Sequence, residues 1–230
     1  MFTSLINSFL KDIVLPVKDI RSMNHLNQLH SSYLPWTGAS IRPTAMRYIL
    51  NDIMINNRDT IVECGAGLST VYIASLFKQN AGSDKHVFSI DHDENWISIL
   101  QNEIDQNGLS EYVTLMHAPL EHCEECLNDN LKWYSNNNIE SALGNNKIDL
   151  LFVDGPPANK KGLELSRYPA YPFFKDRLSD NHLIILDDAD RKGEETTAQK
   201  WSDISGYKFK RSILNGNIYT GLKGDSYNVL

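Results

Sequence analysis

Three aspartates stand directly after two apolar runs, at positions where their side chains could do chemistry together. Asp154 follows the run at 148–153, and Asp187 and Asp188 follow the run at 183–186. Such runs predict strands buried on both faces of a parallel sheet, where ligands bind at the carboxyl ends of the strands. We therefore expect the three carboxylates to converge in one crevice. A cation such as Mg²⁺, which prefers oxygen ligands, would relieve their mutual repulsion. Carboxylates that cap helices or bind a substrate directly are the alternative.

A turn containing two glycines follows an earlier apolar run, at residues 60–63. Gly65 and Gly67 let the backbone turn sharply and bring amide groups close to a ligand at a helix N-terminus. The dinucleotide fingerprint requires a third glycine, and this chain has Thr70 at that position. The turn therefore predicts a nucleotide-like cofactor and counts against NAD.

An acidic residue also ends the next apolar run along the chain. Asp91 follows residues 87–90, and a carboxylate at a strand end can accept both hydroxyl protons of a ribose. Asp91 could therefore bind the ribose of a nucleoside cofactor that has no pyrophosphate.

The turn and this acid together resemble class I S-adenosylmethionine-dependent methyltransferases, over roughly residues 36–223. The acid-x-Gly-x-Gly turn of that family stands here at residues 63–67, and Asp91 stands at the position of its ribose-binding acid. The segment at 117–120, where the family lines the adenine, lacks an acid for the adenine amino group. The resemblance implies S-adenosylmethionine as the cofactor. It also implies the cofactor-binding residues Glu63, Gly65, Gly67, Ser69, Thr70, Asp91, His92, Ala118 and Leu120.

The aspartates after the fourth and fifth predicted strands are similar in position to the metal ligands of cation-dependent small-molecule O-methyltransferases. That resemblance implies a magnesium site at Asp154, Asp187 and Asp188, and methyl transfer to a hydroxyl of a small-molecule acceptor. The catechol-type enzymes carry a lysine where this chain has Pro157, which leaves the general base open. Asp154 and Lys160 are the candidates for that role, and a solvated loop charge is the alternative for Lys160.

Two further residues are candidates for contact with the substrate. Arg167 could clamp an anionic group of the substrate or pair with one of the carboxylates. Trp36 lies in the turn-rich linker 33–42, which could be a lid over the site or a packed connection. We predict that residues 36–42 lie over the cofactor or acceptor pocket.

Alternating apolar runs and helical patterns predict an α/β fold, with a doubly wound, Rossmann-like, mostly parallel sheet closed by an antiparallel C-terminal hairpin. A helical N-terminal cap is expected over residues 1–58, with helices near 4–13 and 43–55, and the cofactor-binding methyltransferase domain over 59–230. Strands are predicted at 60–63, 87–90, 112–116, 148–153 and 183–186, and the hairpin at 208–213 and 218–222. Crossover helices are predicted at 68–79, 94–107, 119–143 with an irregular Asn-rich middle, 162–178 and 194–201.

Composition limits the partners. The 230 residues include 22 Lys and Arg against 29 Asp and Glu, a net charge of −7 that repels nucleic acids and anionic membranes. No aliphatic run reaches the length of a membrane span, and no secretory signal is apparent, so we expect a cytoplasmic protein. Two alternatives to a methyltransferase remain open: an NAD-dependent oxidoreductase, and a non-catalytic nucleoside-binding module whose crevice would be empty or plugged by side chains.

Three cysteines fit a reducing compartment. Cys123 and Cys126 form a C-x-x-C pair without a second pair. Thiols on one face of a helix are the favoured interpretation, and a redox or zinc role is the alternative.

Overall fold

A computed structural model describes residues 2–30, 32–80 and 84–227. The described chain begins with an unbroken helical segment made of α1 (Phe2–Phe9), a π-helical stretch (Leu10–Val14) and α2 (Leu15–Leu26). A linker leads to α3 (Pro43–Ile55), where Pro43 occupies an early helical position that needs no N–H donor. Both helices predicted before residue 59 are therefore present, and the first is longer than predicted.

The rest of the chain alternates strands and helices. The strands are β1 (Thr60–Cys64), β2 (His86–Asp91), β3 (Val113–His117), β4 (Leu120–Glu121), β5 (Trp133–Tyr134), β6 (Ile148–Val153), β7 (Leu178–Leu186), β8 (Phe209–Ser212) and β9 (Ile218–Lys223). The helices are α4 (Leu68–Gln79), α5 (Glu94–Gln106), α6 (Ile139–Leu143), α7 (Ala170–Phe174) and α8 (Lys192–Ser205).

Seven of these strands form one sheet in the order β3-β2-β1-β6-β7-β9-β8. The first five in this order run parallel, and β9 pairs antiparallel with both β7 and β8. The prediction of a doubly wound sheet closed by an antiparallel hairpin is confirmed. Cys64, at the end of β1, pairs with Ile90 of β2 on one side and with Val153 of β6 on the other. The strand order reverses between β1 and β6, and a ligand crevice is expected at such a switch point.

Both faces of the sheet are buried, as their continuous apolar runs predict. Ile61 and Phe152 face a core that includes Met46 of α3 and residues of α4 and α5. Val62 and Leu151 face a second core, which contains Trp201 of α8. Because α3 packs into the same core as the sheet, no separate core marks the boundary predicted between residues 58 and 59. That boundary stays a prediction.

Two of the predicted crossover helices are wrong. Residues 119–143 contain only the short pair β4 and β5 and the five-residue helix α6, because the Asn-rich stretch before α6 favours turns over a long helix. Residues 162–178 are mostly turns that lead to α7, which begins directly after Pro169. A proline disfavours the helical conformation of the residue before it and removes a donor, so Pro169 favours the start of a helix over its interior.

The C-x-x-C pair lies in the loop between β4 and β5, where Cys123 and Cys126 form a disulfide. The prediction of two helix-face thiols is therefore wrong, since the segment is neither helical nor reduced. Within the described ranges, none of the helices has the length and apolar character needed to cross a lipid bilayer. The cytoplasmic location stays a prediction.

Candidate active site

A cavity of about 660 Å³ opens at the carboxyl ends of the central strands. Its walls come from the loops after β1, β2, β6 and β7, and from the linker before α3. The prediction that this linker lies over the pocket matches residues 37–41, which line the cavity together with Leu34 and Pro35. A volume of this size suits a small ligand or cofactor.

The loop after β1 is held in place by its neighbours. Gly65 has a φ of +96°, and the N–H groups of Gly65 and Ala66 donate to the Ile90 carbonyl at 2.8 and 3.2 Å. The indole N–H of Trp96 in α5 donates to the Ala66 carbonyl at 2.7 Å. A Cβ added at Gly67 would meet no atom within 4 Å. The loop therefore has a fixed shape and presents an open surface to the cavity.

Glu63 lies beneath this loop, outside the lining of the cavity. Its fully buried carboxylate accepts hydrogen bonds from the hydroxyls of Ser69, Thr70 and Ser89, the last at 2.5 Å. Burial raises the pKa of Glu63 to about 7, although these three hydrogen bonds act to lower it. Thr70 Oγ1 also accepts the Gly67 N–H at 3.0 Å. Glu63 and Thr70 therefore fix the shape of the loop from beneath it and do not line the cavity. Ser69, which precedes Thr70, does line it.

The acid after β2 reaches the cavity. Asp91 and His92 both line it, and the Asp91 side chain is largely buried. Asp91 Oδ1 accepts the Asp93 N–H at 2.9 Å and lies 3.1 Å from His92 Nδ1. Burial raises the pKa of the Asp91 carboxyl. The structure thus places a partly desolvated carboxylate where the resemblance implied a ribose-binding acid.

The two residues implied after β3 do not line the cavity. Ala118 is buried, and its N–H donates to the Asp91 carbonyl at 2.8 Å. Leu120 lies in β4, where it pairs with Tyr134. Their positions support Asp91 and the β4–β5 pair, and neither residue is part of the cavity lining.

Asp154, Asp187 and Asp188 meet at one end of the cavity, which they all line. The strands that carry them are neighbours, with Val153 of β6 beside Leu186 of β7. Burial and the adjacent Asp188 raise the pKa of Asp187 to about 6. Asp188 adopts a left-handed backbone conformation, with a φ of +59°, which Asp tolerates better than most residues.

The guanidinium of Arg167 lies among these carboxylates. Its Nη2 donates to Asp154 Oδ1 at 3.0 Å and to the Asp154 carbonyl at 2.5 Å. Its Nη1 lies 3.0 Å from Asp188 Oδ2 and 3.5 Å from Glu194 Oε1. Arg191 pairs with the same Asp188 oxygen at 2.6 Å. Of the two roles considered for Arg167, pairing with the carboxylates is the one present.

The carboxylate cluster does not fit a magnesium ion as it is arranged. Arg167 is 4% exposed and occupies the space between Asp154 and Asp188 that a shared ion would need. In the described ranges, no group of three or more His, Cys, Asp or Glu side chains is positioned to hold a metal ion. The Mg²⁺ site predicted at these three aspartates is therefore not shown by the structure.

The remaining predicted residues lie away from the cavity wall. Lys160 is exposed on the loop after β6 and does not line the cavity. The Trp36 ring packs on Tyr72 of α4, with ring centroids 6.0 Å apart, while its neighbours in the linker line the cavity. The linker therefore reaches the cavity, whereas the Trp36 side chain packs against α4 and does not line the cavity.

Three residues near the site were missed from the sequence. Tyr134 lines the cavity with a buried hydroxyl that has no hydrogen-bond partner in the part of the chain that the structure describes. Glu194 is buried in the first turn of α8, and burial raises its pKa to about 7. Arg191 precedes it by one turn and faces the cavity. For Arg191 and Glu194, the available sequence signal was their Arg-x-x-Glu spacing at the start of a predicted helix.

Comparison with known proteins supports the same family. A family model described as a methyltransferase domain matches residues 62–189, more than half of the chain. No curated protein matches the sequence.

Solved structures share the fold at low identity. An O-methyltransferase from Bacillus cereus in complex with S-adenosylhomocysteine is 16% identical, with a TM-score of 0.55, over 95% of this chain and 97% of that one. A Podospora anserina methyltransferase bound to S-adenosylhomocysteine is 12% identical, with a TM-score of 0.61, over 89% and 88%. The O-methyltransferase TomG from Streptomyces achromogenes, in complex with S-adenosylmethionine, is 11% identical, with a TM-score of 0.53, over 89% and 90%.

These findings decide between the alternatives considered from the sequence. The match to a methyltransferase family excludes both the NAD-dependent oxidoreductase and the non-catalytic nucleoside-binding module. The chain belongs to the methyltransferase-domain family and is a methyltransferase with a doubly wound sheet closed by a C-terminal hairpin.

Proposed function

We propose that this methyltransferase transfers the methyl group of S-adenosylmethionine to a hydroxyl oxygen of a small-molecule acceptor. One observation carries the proposal: a single cavity joins the open loop at Gly67 and the buried Asp91 to a cluster of carboxylates at its other end. The first end suits a nucleoside cofactor, and the second suits an acceptor hydroxyl. The complexes of structural neighbours with S-adenosylhomocysteine and S-adenosylmethionine support the choice of cofactor.

The cofactor end has the groups that S-adenosylmethionine needs. Asp91 is placed to accept the ribose hydroxyl protons, and α4 begins at Leu68 with backbone N–H groups that favour the carboxylate of the amino-acid part. When bound, S-adenosylmethionine supplies an electrophilic methyl group on its sulfonium. The chain has to hold an acceptor oxygen in line with that group and exclude water.

The charge of the cavity limits the acceptor. Six carboxylate side chains line it in the described residues, against the two guanidinium groups of Arg167 and Arg191. An acceptor that carries phosphate or carboxylate groups would be repelled. We therefore expect a neutral or cationic hydroxyl compound. The proposal includes no nucleic acid, since the chain has a net charge of −7.

Asp187 is the best-placed group to accept the proton of the acceptor hydroxyl. It lines the cavity, and the Asp188 backbone N–H donates a hydrogen bond to its carboxylate, which no side chain engages within the described ranges. Asp154 is held by Arg167, and Lys160 lies outside the lining. The general base is therefore reassigned from Asp154 and Lys160 to Asp187.

Calorimetric titration tests the cofactor. S-adenosylhomocysteine should bind and NAD should not; tight NAD binding without S-adenosylhomocysteine binding would refute the proposal. Transfer of labelled methyl groups to neutral, cationic and anionic hydroxyl compounds then tests the acceptor class. Asp187→Asn should lose transfer and retain affinity for S-adenosylhomocysteine, whereas the control Asp190→Asn, at an exposed residue paired with Lys11, should change neither.

A further inference from the structure

Arg167 is built into the carboxylate cluster from several sides. Besides its two bonds to Asp154, its Nε donates to the Pro156 carbonyl at 3.4 Å. The side chain is therefore tied to the backbone of the loop after β6 and to charged groups after β7 and on α8. A guanidinium fixed by carbonyl oxygens as well as carboxylates cannot leave the cluster without breaking both sets of contacts.

The acidic groups around Arg167 stabilise its buried positive charge. Four acidic groups face it from three elements: Asp154, Asp187, Asp188 and Glu194. The other cation near them is Arg191, which contacts Asp188 and lies 3.7 Å from Glu194. Because arginine stays protonated at any ordinary pH, Arg167 supplies a permanent positive charge at the centre of these acids.

We propose that the Arg167 guanidinium takes the place of a divalent cation in this carboxylate cluster, so that the cluster binds no metal ion. A second cation among the same oxygens would face a fixed positive charge within contact distance. One carboxylate oxygen of Asp154, one of Asp188 and one of Glu194 also lie within 3.5 Å of the Arg167 guanidinium.

The absence of a metal ion from the cluster does not depend on the proposed function. Only the role of Arg167 in the reaction rests on that function. A bound divalent ion lowers the pKa of an acceptor hydroxyl as a Lewis acid. Arg167 is not itself placed on the acceptor; it is a positioning residue, which fixes Asp154 and Asp188 by pairing with both and leaves the hydroxyl proton to a carboxylate.

Binding of Mn²⁺ alone, followed by electron paramagnetic resonance, tests the proposal. The wild-type chain should bind no Mn²⁺ at this cluster. Arg167→Gln should gain a Mn²⁺ site with affinity about tenfold or more above wild type, because its acids lose their internal counter-charge. Arg167→Lys, which keeps a cation, should gain none. Arg177→Gln removes a charge outside the cluster, whose guanidinium donates to the Gly144 carbonyl, and should also gain none.

Two outcomes would overturn the inference. One is Mn²⁺ binding by the wild-type chain that is lost in Asp154→Asn and Asp188→Asn; this measurement needs no Arg167 variant to fold. The other is a folded Arg167→Gln protein that binds no more Mn²⁺ than wild type. Titration with S-adenosylhomocysteine is run on the same samples, so failure of cofactor binding is distinguished from failure of the metal prediction.

Discussion

Gly155 lies against Gly65, so that a Cβ on Gly155 would stand 2.9 Å from the Gly65 Cα. The same Cβ would collide with the Tyr134 hydroxyl. The loops after β1 and β6 therefore meet backbone to backbone at the reversal of the strand order. This contact joins the cofactor end of the cavity to its carboxylate end.

Gly155→Ala should destabilise the protein, because the methyl group has backbone on one side and a buried tyrosine on the other. An overpacked core position costs about 1–3 kcal/mol. Urea denaturation measures the loss. Gly38→Ala is the matched control, because a Cβ at Gly38 meets nothing within 4 Å. Equal stability of the two variants would show that the loops are not packed as described.

Asp91→Ala should weaken binding of S-adenosylhomocysteine, because a buried carboxylate that accepts ribose hydroxyl protons is lost. Hydrogen bonds to a charged group contribute about 1.5–3 kcal/mol, which corresponds to roughly 10- to 150-fold in affinity. Calorimetry on the variant and on Asp180→Asn, at an exposed position of β7, gives the comparison. Unchanged affinity in Asp91→Ala would remove Asp91 from the cofactor site.

Glu63 should make the stability depend on pH. Its pKa in the folded protein is raised to about 7, so the folded state holds the proton more tightly than the unfolded chain does. The protonated Glu63 carboxyl therefore contributes to the free energy of unfolding below the pKa that Glu63 has in the unfolded chain. This contribution is lost as the pH rises through the folded-state pKa of about 7. A difference of this size corresponds to about 3 kcal/mol.

Denaturation curves of wild type and Glu63→Gln at pH 5 and pH 7.5 isolate this effect. The free energy of unfolding of the wild type should fall more than that of the variant as pH rises. Glu124→Gln, at an exposed position, should follow the wild type. If wild type and Glu63→Gln change in parallel, the Glu63 carboxyl does not titrate in this range.

Thiol counting should give one reactive cysteine per unfolded chain. Of the three cysteines, Cys123 and Cys126 are joined and Cys64 is free and fully buried. Burial also raises the pKa of the Cys64 thiol, which slows its reaction in the folded protein. Mass spectrometry after alkylation should show no modified cysteine in the folded protein and one in the denatured protein. It should show three modified cysteines when the denatured protein is also reduced. Three without a reductant would mean that the disulfide is absent.

The elements with strong local patterns could be predicted from the sequence. The apolar runs predict β1, β2, β6 and the second half of β7, because strands buried on both faces are mostly apolar. The hairpin was also predictable, since residues 215–217 supply Asn and Gly for a tight turn; Gly216 and Asn217 have φ values of +98° and +63°. These features depend on short stretches of chain.

The contacts of Glu63 and Arg167 could not be predicted from the sequence, because they join residues that are distant along the chain. Glu63 was placed at the cofactor, but its carboxylate turns towards Ser89 of the neighbouring strand, and only the register of β1 against β2 decides this. Arg167 lies 13 residues after Asp154 and its position among the acids is set by the irregular segment before α7. Neither arrangement leaves a periodic pattern in the sequence.

The position of β9 has a consequence for how the sheet is completed during synthesis. β9 follows β8 along the chain but lies between β8 and β7. The hydrogen-bonding edge of β7 therefore stays open until residues 218–223 have left the ribosome, although the aspartates that follow β7 are already present. An open, apolar strand edge can pair with another chain, so the nascent protein is most prone to self-association in the interval before its last strand is inserted.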